Sequence, residues 1–111
     1  MKIVIRIDEE ATDKFSPSAG NIFEVDLTSI SVLGISMYSK YYLPNGLRII
    51  LDIDGKPFGL ERSMNLKGEM RYCKQIEASK YKCGIKFIKT ADEYKNKIAE
   101  FVTANEKKRK L

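Results

Sequence analysis

The sequence predicts a single β-rich domain, an antiparallel barrel or sandwich followed by one C-terminal helix. Its length of 111 residues fits one domain. Segments that alternate between apolar and polar residues recur along the chain and are separated mostly by short turn sequences. The apolar spacing of an α-helix occurs only near the end of the chain. These three observations favour a mainly β fold.

The first part of the chain contains three predicted strands. Residues 2–8 place isoleucine at every second position, which indicates a strand, and residues 9–21 have the Ser, Pro and Gly composition of a loop. Residues 22–27 alternate again. A polar turn at 28–31 is then expected to lead into a strand over about 33–38.

Three more strands are predicted in the second part of the chain, where Pro- and Gly-containing turns separate apolar runs. They cover residues 47–52, 66–74 and 81–88. Met70 and Tyr72 are expected to point inward. That alternation places Cys73 on the opposite face of its hairpin from Cys83, so two reduced thiols are expected rather than a cross-strand disulfide.

The C-terminal segment has a helix start signal and an apolar helical stripe. Thr90-Ala91-Asp92-Glu93 matches a capping box, and the stripe that follows consists of Tyr94, Ile98, Phe101 and Val102. We expect a helix over about 90–103 that packs against the sheet. The domain should therefore span 1–104, and residues 105–111 should form a basic flexible tail.

The composition excludes several function classes. The chain has no histidine and two cysteines, so it lacks the ligands of a His/Cys zinc site and the commonest general base. We expect no enzyme and no cofactor. No apolar run is long enough to span a membrane, and the N-terminus does not resemble a secretory signal, so membrane insertion is not expected and a cytoplasmic location is.

The net charge of +5 favours an anionic partner. Much of the excess lies in residues 107–110. The stretch that points to a binding site is Ser29-x-Ser31-x-x-Gly34, where two hydroxyls and a glycine interrupt the strand pattern. Hydroxyls and free backbone N–H groups at such a bend can bind a phosphate or the edge of a base, and glycine allows the chain either to turn or to approach a ligand closely.

This array resembles the PilZ family, whose signature is Asp/Asn-x-Ser-x-x-Gly at the start of a barrel strand. Further segments are similar to later strands and turns of the family: Leu43-Pro44-Asn45-Gly46 with residues 47–51, residues 68–73, and Tyr81-Lys82-Cys83-Gly84-Ile85-Lys86-Phe87. The likeness covers roughly residues 23–102. It implies a six-stranded antiparallel barrel with a C-terminal helix, and a receptor or adaptor for cyclic di-GMP, a bacterial second messenger.

The sequence departs from the family pattern at two points. The family's Arg-x-x-x-Arg motif is missing, and its nearest equivalent is Lys2-x-x-x-Arg6, inside the first predicted strand; Ser29 replaces the Asp/Asn. Each charged hydrogen bond contributes on the order of 1.5–3 kcal/mol, so losing two arginines weakens binding by roughly a hundred- to ten-thousandfold. Lys2, Arg6 and the basic residues 107–110 are the candidate replacements.

Two alternatives remain open from the sequence. One is an adaptor of the same fold that binds a protein partner without the nucleotide. The other is a nucleic-acid-binding barrel that uses exposed aromatics beside basic residues, for which Tyr38, Tyr41 and Tyr42 are candidates. We regard the second as the weaker of the two because Lys40-Tyr41-Tyr42 is one short cluster between strands.

Overall fold

The computed structural model describes residues 1–8 and 22–109, with side chains as far as Asn105. The described part contains six strands, one short 3-10 helix and one α-helix. The strands are β1 (Lys2–Ile7), β2 (Ile22–Ile30), β3 (Gly34–Ser39), β4 (Arg48–Ile53), β5 (Met64–Glu77) and β6 (Lys80–Ile88); the 3-10 helix is Lys56–Phe58 and α1 is Asp92–Arg109. The loop predicted at 9–21 lies outside the described residues.

The six strands form one closed barrel in the order β1-β2-β3-β6-β5-β4, and every neighbouring pair is antiparallel. Closure occurs where β1 pairs with β4, with Ile5 opposite Leu51 and Ile7 opposite Ile49. The predicted fold class is therefore confirmed, and the barrel is the correct choice over the sandwich.

Strict alternation in the sequence explains the core. Ile3, Ile5 and Ile7 are buried on one face of β1, and the residues between them are more exposed. Successive side chains of a strand point to opposite faces, so each such strand contributes every second residue to the barrel interior. The buried apolar residues form a single cluster: Ile3, Ile5, Ile7, Val25, Ile35, Met37, Leu43, Leu47, Ile49, Leu51, Ile53, Phe58, Met64, Leu66, Met70, Cys83, Ile85, Phe87 and Ile98.

Helix α1 lies across one mouth of the barrel. Its Ile98 is fully buried in the core cluster, and Tyr94, Phe101 and Val102 pack against that cluster from the same helix face. The Phe101 ring lies 4.5 Å from the ring of Phe58, in the 3-10 helix that connects β4 to β5. The predicted apolar stripe is thus confirmed as the surface that joins the helix to the barrel.

The helix differs from its prediction at both ends. It begins at Asp92, and its first backbone bond runs from the Lys95 N–H to the Ala91 carbonyl. Glu93 accepts a hydrogen bond from Arg62 (Nη2–Oε1 2.6 Å) rather than reaching back to Thr90, so the predicted capping box is wrong. At the other end the helix continues to Arg109, and residues 105–109 therefore extend α1 instead of beginning a separate tail.

A bulge in β5 reverses part of its predicted alternation. The register between β5 and β6 shifts between Met70 and Tyr72, which leaves Arg71 as the extra residue. Met70 is fully buried, as predicted, but Tyr72 is 45% exposed and lies on the outer face opposite Gly84. The predicted inward position of Tyr72 is wrong because a bulge moves all later residues of a strand to the other face.

The same bulge brings the two cysteines together. Cys73 and Cys83 are directly paired across β5 and β6, and their Sγ atoms lie 3.3 Å apart as free thiols. The expectation that they occupy opposite faces is therefore wrong. The Leu43 N–H donates to the Cys73 Sγ at 3.3 Å, and burial, with the contact to Cys73, raises the pKa of Cys83.

We expect the two thiols to react at different rates. The thiolate is the reactive form, and the raised pKa of the fully buried Cys83 removes that form at neutral pH. Alkylation of native protein by iodoacetamide, followed by mass spectrometry, should modify Cys83 at least about tenfold more slowly than half-buried Cys73, since each pKa unit lowers the thiolate population tenfold. The variants Cys73→Ser and Cys83→Ser isolate each thiol. Equal rates in the folded single variants would contradict this prediction.

Within the described residues, no helix has the length and apolar character needed to cross a membrane.

Candidate functional site

The Ser-x-x-Gly segment forms the reversal between β2 and β3. β2 continues through Ile30, so most of the turn predicted at 28–31 is strand and the chain reverses at residues 31–33. The Ser31 N–H donates to the Gly34 carbonyl at 2.9 Å, and the Leu33 N–H donates to the Ser31 Oγ at 3.2 Å. The Ser31 hydroxyl therefore stabilises the turn itself.

Gly34 is required by the close approach of β3 to β6. A Cβ at this position would lie 2.0 Å from the Ile85 carbonyl oxygen. The absence of a Cβ at Gly34 thus serves the packing of the neighbouring strand, and Gly34 also forms part of the groove's wall.

Ser29 lies on β2 beside a second bulge. The register between β2 and β3 shifts between Leu27 and Ser29, and Ser29 then pairs with Ser36. Ser36 pairs with Gly84, and Gly84 pairs with Tyr72. Because directly opposed residues project to the same side of a sheet, these four positions form one row across the outer surface of four strands.

A groove of about 940 Å³ lies along this region. Its wall includes all three predicted motif residues, Ser29, Ser31 and Gly34. Residues of the strands and of α1 complete it: Met1, Leu27, Thr28, Ile30, Leu33, Ile35, Ser36, Arg71, Tyr72, Gly84, Ile85, Lys86, Phe101, Val102 and Asn105. The groove thus joins the β2–β3 turn to the outer face of β5 and β6 and to the C-terminal half of the helix.

Two cations line the groove, and their electrostatic surroundings differ. Arg71 lies 3.4 Å (Nη1–Oε1) from Glu69, a carboxylate that also lies 4.0 Å from Arg48. Lys86 is exposed and forms no ion pair within 4.0 Å among the described residues, although Glu69 is its direct cross-strand partner. An anion in the groove therefore meets two cations that lie beside one carboxylate, and Arg71 is the one that is ion-paired with it.

The other two predicted site residues, Lys2 and Arg6, do not line the groove. Lys2 forms an ion pair with Asp26 (Nζ–Oδ1 2.8 Å), and this hydrogen bond raises the pKa of Lys2 and lowers the pKa of Asp26. Arg6 lies four residues further along β1, about 13 Å away at the rise of a strand. The structure does not bring these two cations together at the motif, and the side chains of residues 107–110 lie outside the described part.

The aromatics considered for nucleic-acid stacking lie in two different places. Tyr41 and Tyr42 follow β3 and pack edge-on against Phe23 and Tyr81, with ring centroids 5.0 and 6.1 Å apart. Both rings remain about half exposed, at 49% and 53%. Tyr38 lies on the outer face, where the Lys80 Nζ is 4.5 Å from its ring centroid.

The sequence analysis missed Arg71, Tyr72 and Lys86 as site residues. Their proximity to the motif depends on strand pairing across β3, β6 and β5 and on the bulge at Arg71. One signal was present: Gly84 interrupts an otherwise regular strand, and an isolated glycine in a strand often marks a close approach by another group. Here that group is the Tyr72 ring, which a Cβ on Gly84 would contact at 2.2 Å.

No group of three or more acidic, cysteine or histidine side chains with metal-binding geometry occurs in the described ranges. Comparisons with protein-family models, with curated proteins and with solved structures gave no match.

Proposed function

We propose that this chain is a PilZ-like cytoplasmic signalling module that binds cyclic di-GMP weakly in the groove at Ser29–Gly34 and has no catalytic role. The observation that carries the proposal is the location of the groove. The segment that resembles the family's nucleotide-binding turn is also part of the wall of a cleft large enough for a drug-sized ligand.

The chemistry of the wall supports an anionic aromatic ligand. The hydroxyls of Ser29 and Ser36 can donate to phosphate oxygens or to the edge of a base. Arg71 and Lys86 supply positive charge, and Tyr72 supplies an aromatic surface. A cyclic dinucleotide contains each of the complementary groups.

We expect weak binding because Arg71, the arginine in the described wall of the groove, already forms an ion pair with a carboxylate. Glu69 lies beside Arg71 and competes with a phosphate for its guanidinium group. The missing Arg-x-x-x-Arg motif leaves the groove without a second arginine in its described wall. Arginine binds phosphate through two parallel hydrogen bonds, which a single lysine does not reproduce.

The test is a calorimetric titration of the full chain with cyclic di-GMP at moderate salt. We expect a Kd of about 10 μM or weaker, in line with the loss of two charged contacts. Ser29→Trp should fill the groove and abolish binding, whereas Ser63→Trp, on an exposed loop outside the groove, should leave it unchanged. Circular dichroism confirms that both variants fold.

The outcomes separate the candidate functions. A submicromolar Kd would contradict the expected weakness, and unchanged affinity in Ser29→Trp would place the site elsewhere. If the folded protein binds no dinucleotide, the receptor function is overturned and the adaptor with a protein partner takes its place. A nucleic-acid role would instead show affinity for single strands that falls steeply with salt.

A further inference from the structure

Tyr72 has the position of a stacking platform. Its ring occupies the space above Gly84 where a Cβ would otherwise lie, 2.2 Å from the nearest ring atom. Gly84 is buried beneath the ring, yet Tyr72 itself keeps 45% of its surface exposed. The ring is therefore supported on one side by backbone and open on the other, and it faces the groove.

A cation lies within reach of this ring on the same face. Lys86 is two residues beyond Gly84 on β6, about 7 Å along the strand, and points to the same outer side. It has no ion-pair partner in the part of the chain that the structure describes. Arg71 is the chain neighbour of Tyr72 and also lines the groove.

An aromatic surface with an exposed ammonium group about 7 Å away along the strand matches the arrangement of a nucleobase and its phosphate. Base–aromatic stacking supplies binding energy without depending on the hydrogen-bonding edge of the base, and lysine binds phosphate as a point charge.

We propose that Tyr72 stacks one base of a phosphate-bearing purine nucleotide and that Lys86, with Arg71, holds its phosphate. This assignment rests on the proposed function and adds to it. Tyr72, Lys86 and Arg71 replace part of the base and phosphate binding that the missing arginine motif would provide. The assignment locates the base-binding half of the site on β5 and β6, next to the Ser29–Gly34 turn, because Lys86 pairs directly with Gly34.

The experiment is an amide NMR titration of the full chain with cyclic di-GMP and, separately, with 5′-GMP. The largest shifts are expected at Tyr72, Gly84 and Lys86. Tyr72→Ala should weaken binding about tenfold or more, the scale of a lost base–aromatic stack, and Tyr72→Phe should bind within about twofold of the parent. Lys86→Gln should weaken binding roughly fivefold or more, the lower range for a lost charged contact.

Lys82→Gln is the matched control. Lys82 lies on the same strand and the same outer face as Lys86, about 13 Å away, and does not line the groove, so its removal should change binding by less than about twofold. If Tyr72→Ala does not fold, Tyr72→Leu takes its place: it still covers Gly84 but has no aromatic ring, and it should weaken binding about tenfold or more.

The outcomes distinguish the two proposals. If Tyr72→Ala and Lys86→Gln bind cyclic di-GMP as tightly as the parent, Tyr72 and Lys86 do not form the base and phosphate site. The proposed function is then unaffected. Shifts at Tyr72 and Gly84 with 5′-GMP but none with cyclic di-GMP support the platform and overturn the proposed function. No shift with either nucleotide overturns both.

Discussion

Replacing Gly34 by alanine should remove more than about 4 kcal/mol from the free energy of unfolding, because the new side chain conflicts sterically with the backbone of the neighbouring strand. The new Cβ would lie 2.0 Å from the Ile85 carbonyl oxygen and 3.1 Å from the Lys86 Cα, and both are backbone atoms of β6. Relief requires β3 and β6 to separate, which breaks a ladder that runs from Gly34 to Ser39.

Thermal unfolding followed by circular dichroism measures the effect. A domain of this size loses roughly 4–8 °C in Tm per kcal/mol, so Gly34→Ala should unfold about 15 °C or more below the parent, or fail to fold. Ser36→Ala, two residues further along the same strand on its outer face, is the control and should shift Tm by no more than a few degrees. A Tm for Gly34→Ala within about 5 °C of the parent would show that β3 and β6 do not approach as described.

Ile98 is the residue that anchors α1 in the barrel core, and we call it the helix anchor. Its replacement by alanine should have the second largest effect on the free energy of unfolding. Ile98 is fully buried in the barrel core, and Ile98→Ala removes methyl groups from a site surrounded by fixed strands. The expected loss is about 2–5 kcal/mol, because the transfer energy of the side chain is lost and a cavity remains. The measurement is urea denaturation monitored at 222 nm, where α1 dominates the signal.

Ile76→Ala is the matched control for the helix anchor. The chemical change is the same, but Ile76 is 47% exposed on the β5–β6 hairpin, and its truncation should cost less than about 1 kcal/mol. Equal losses in the two variants would mean that α1 does not seal the barrel mouth through Ile98.

The architecture was predictable because local patterns and tertiary burial agree over most of the chain. Burial alternates along β1 and β4, and their buried faces meet across the closing ladder at Ile5 and Leu51. The helical spacing of Ile98 and Phe101 likewise predicted which face of α1 packs. The pairing of β3 with β6 was not predicted, because alternation gives the face of a strand and not its neighbours.

The bulges were not predictable by the same means. Arg71 is an ordinary strand residue in the sequence, and nothing in its neighbours indicates that it is left unpaired. Because the bulge at Arg71 changes the face of the residues that follow it, the predicted orientations of Tyr72 and Cys73 were both wrong. Sequence analysis therefore found the turn at Ser31 and Gly34 but missed the aromatic and cationic side of the groove.

The pairing of β3 with β6 also determines how the chain reaches its native state. Gly34 pairs with Lys86, about fifty residues later in the sequence, and β1 pairs with β4 across a similar sequence separation. Two of the six ladders therefore join strands that are distant in sequence. Folding rates fall as contacts become more distant in sequence, and barrels dominated by such pairings fold in milliseconds to seconds. The chain must therefore be synthesised through β6 before β3 acquires its second neighbour, and until then the first strands form an open, incomplete sheet.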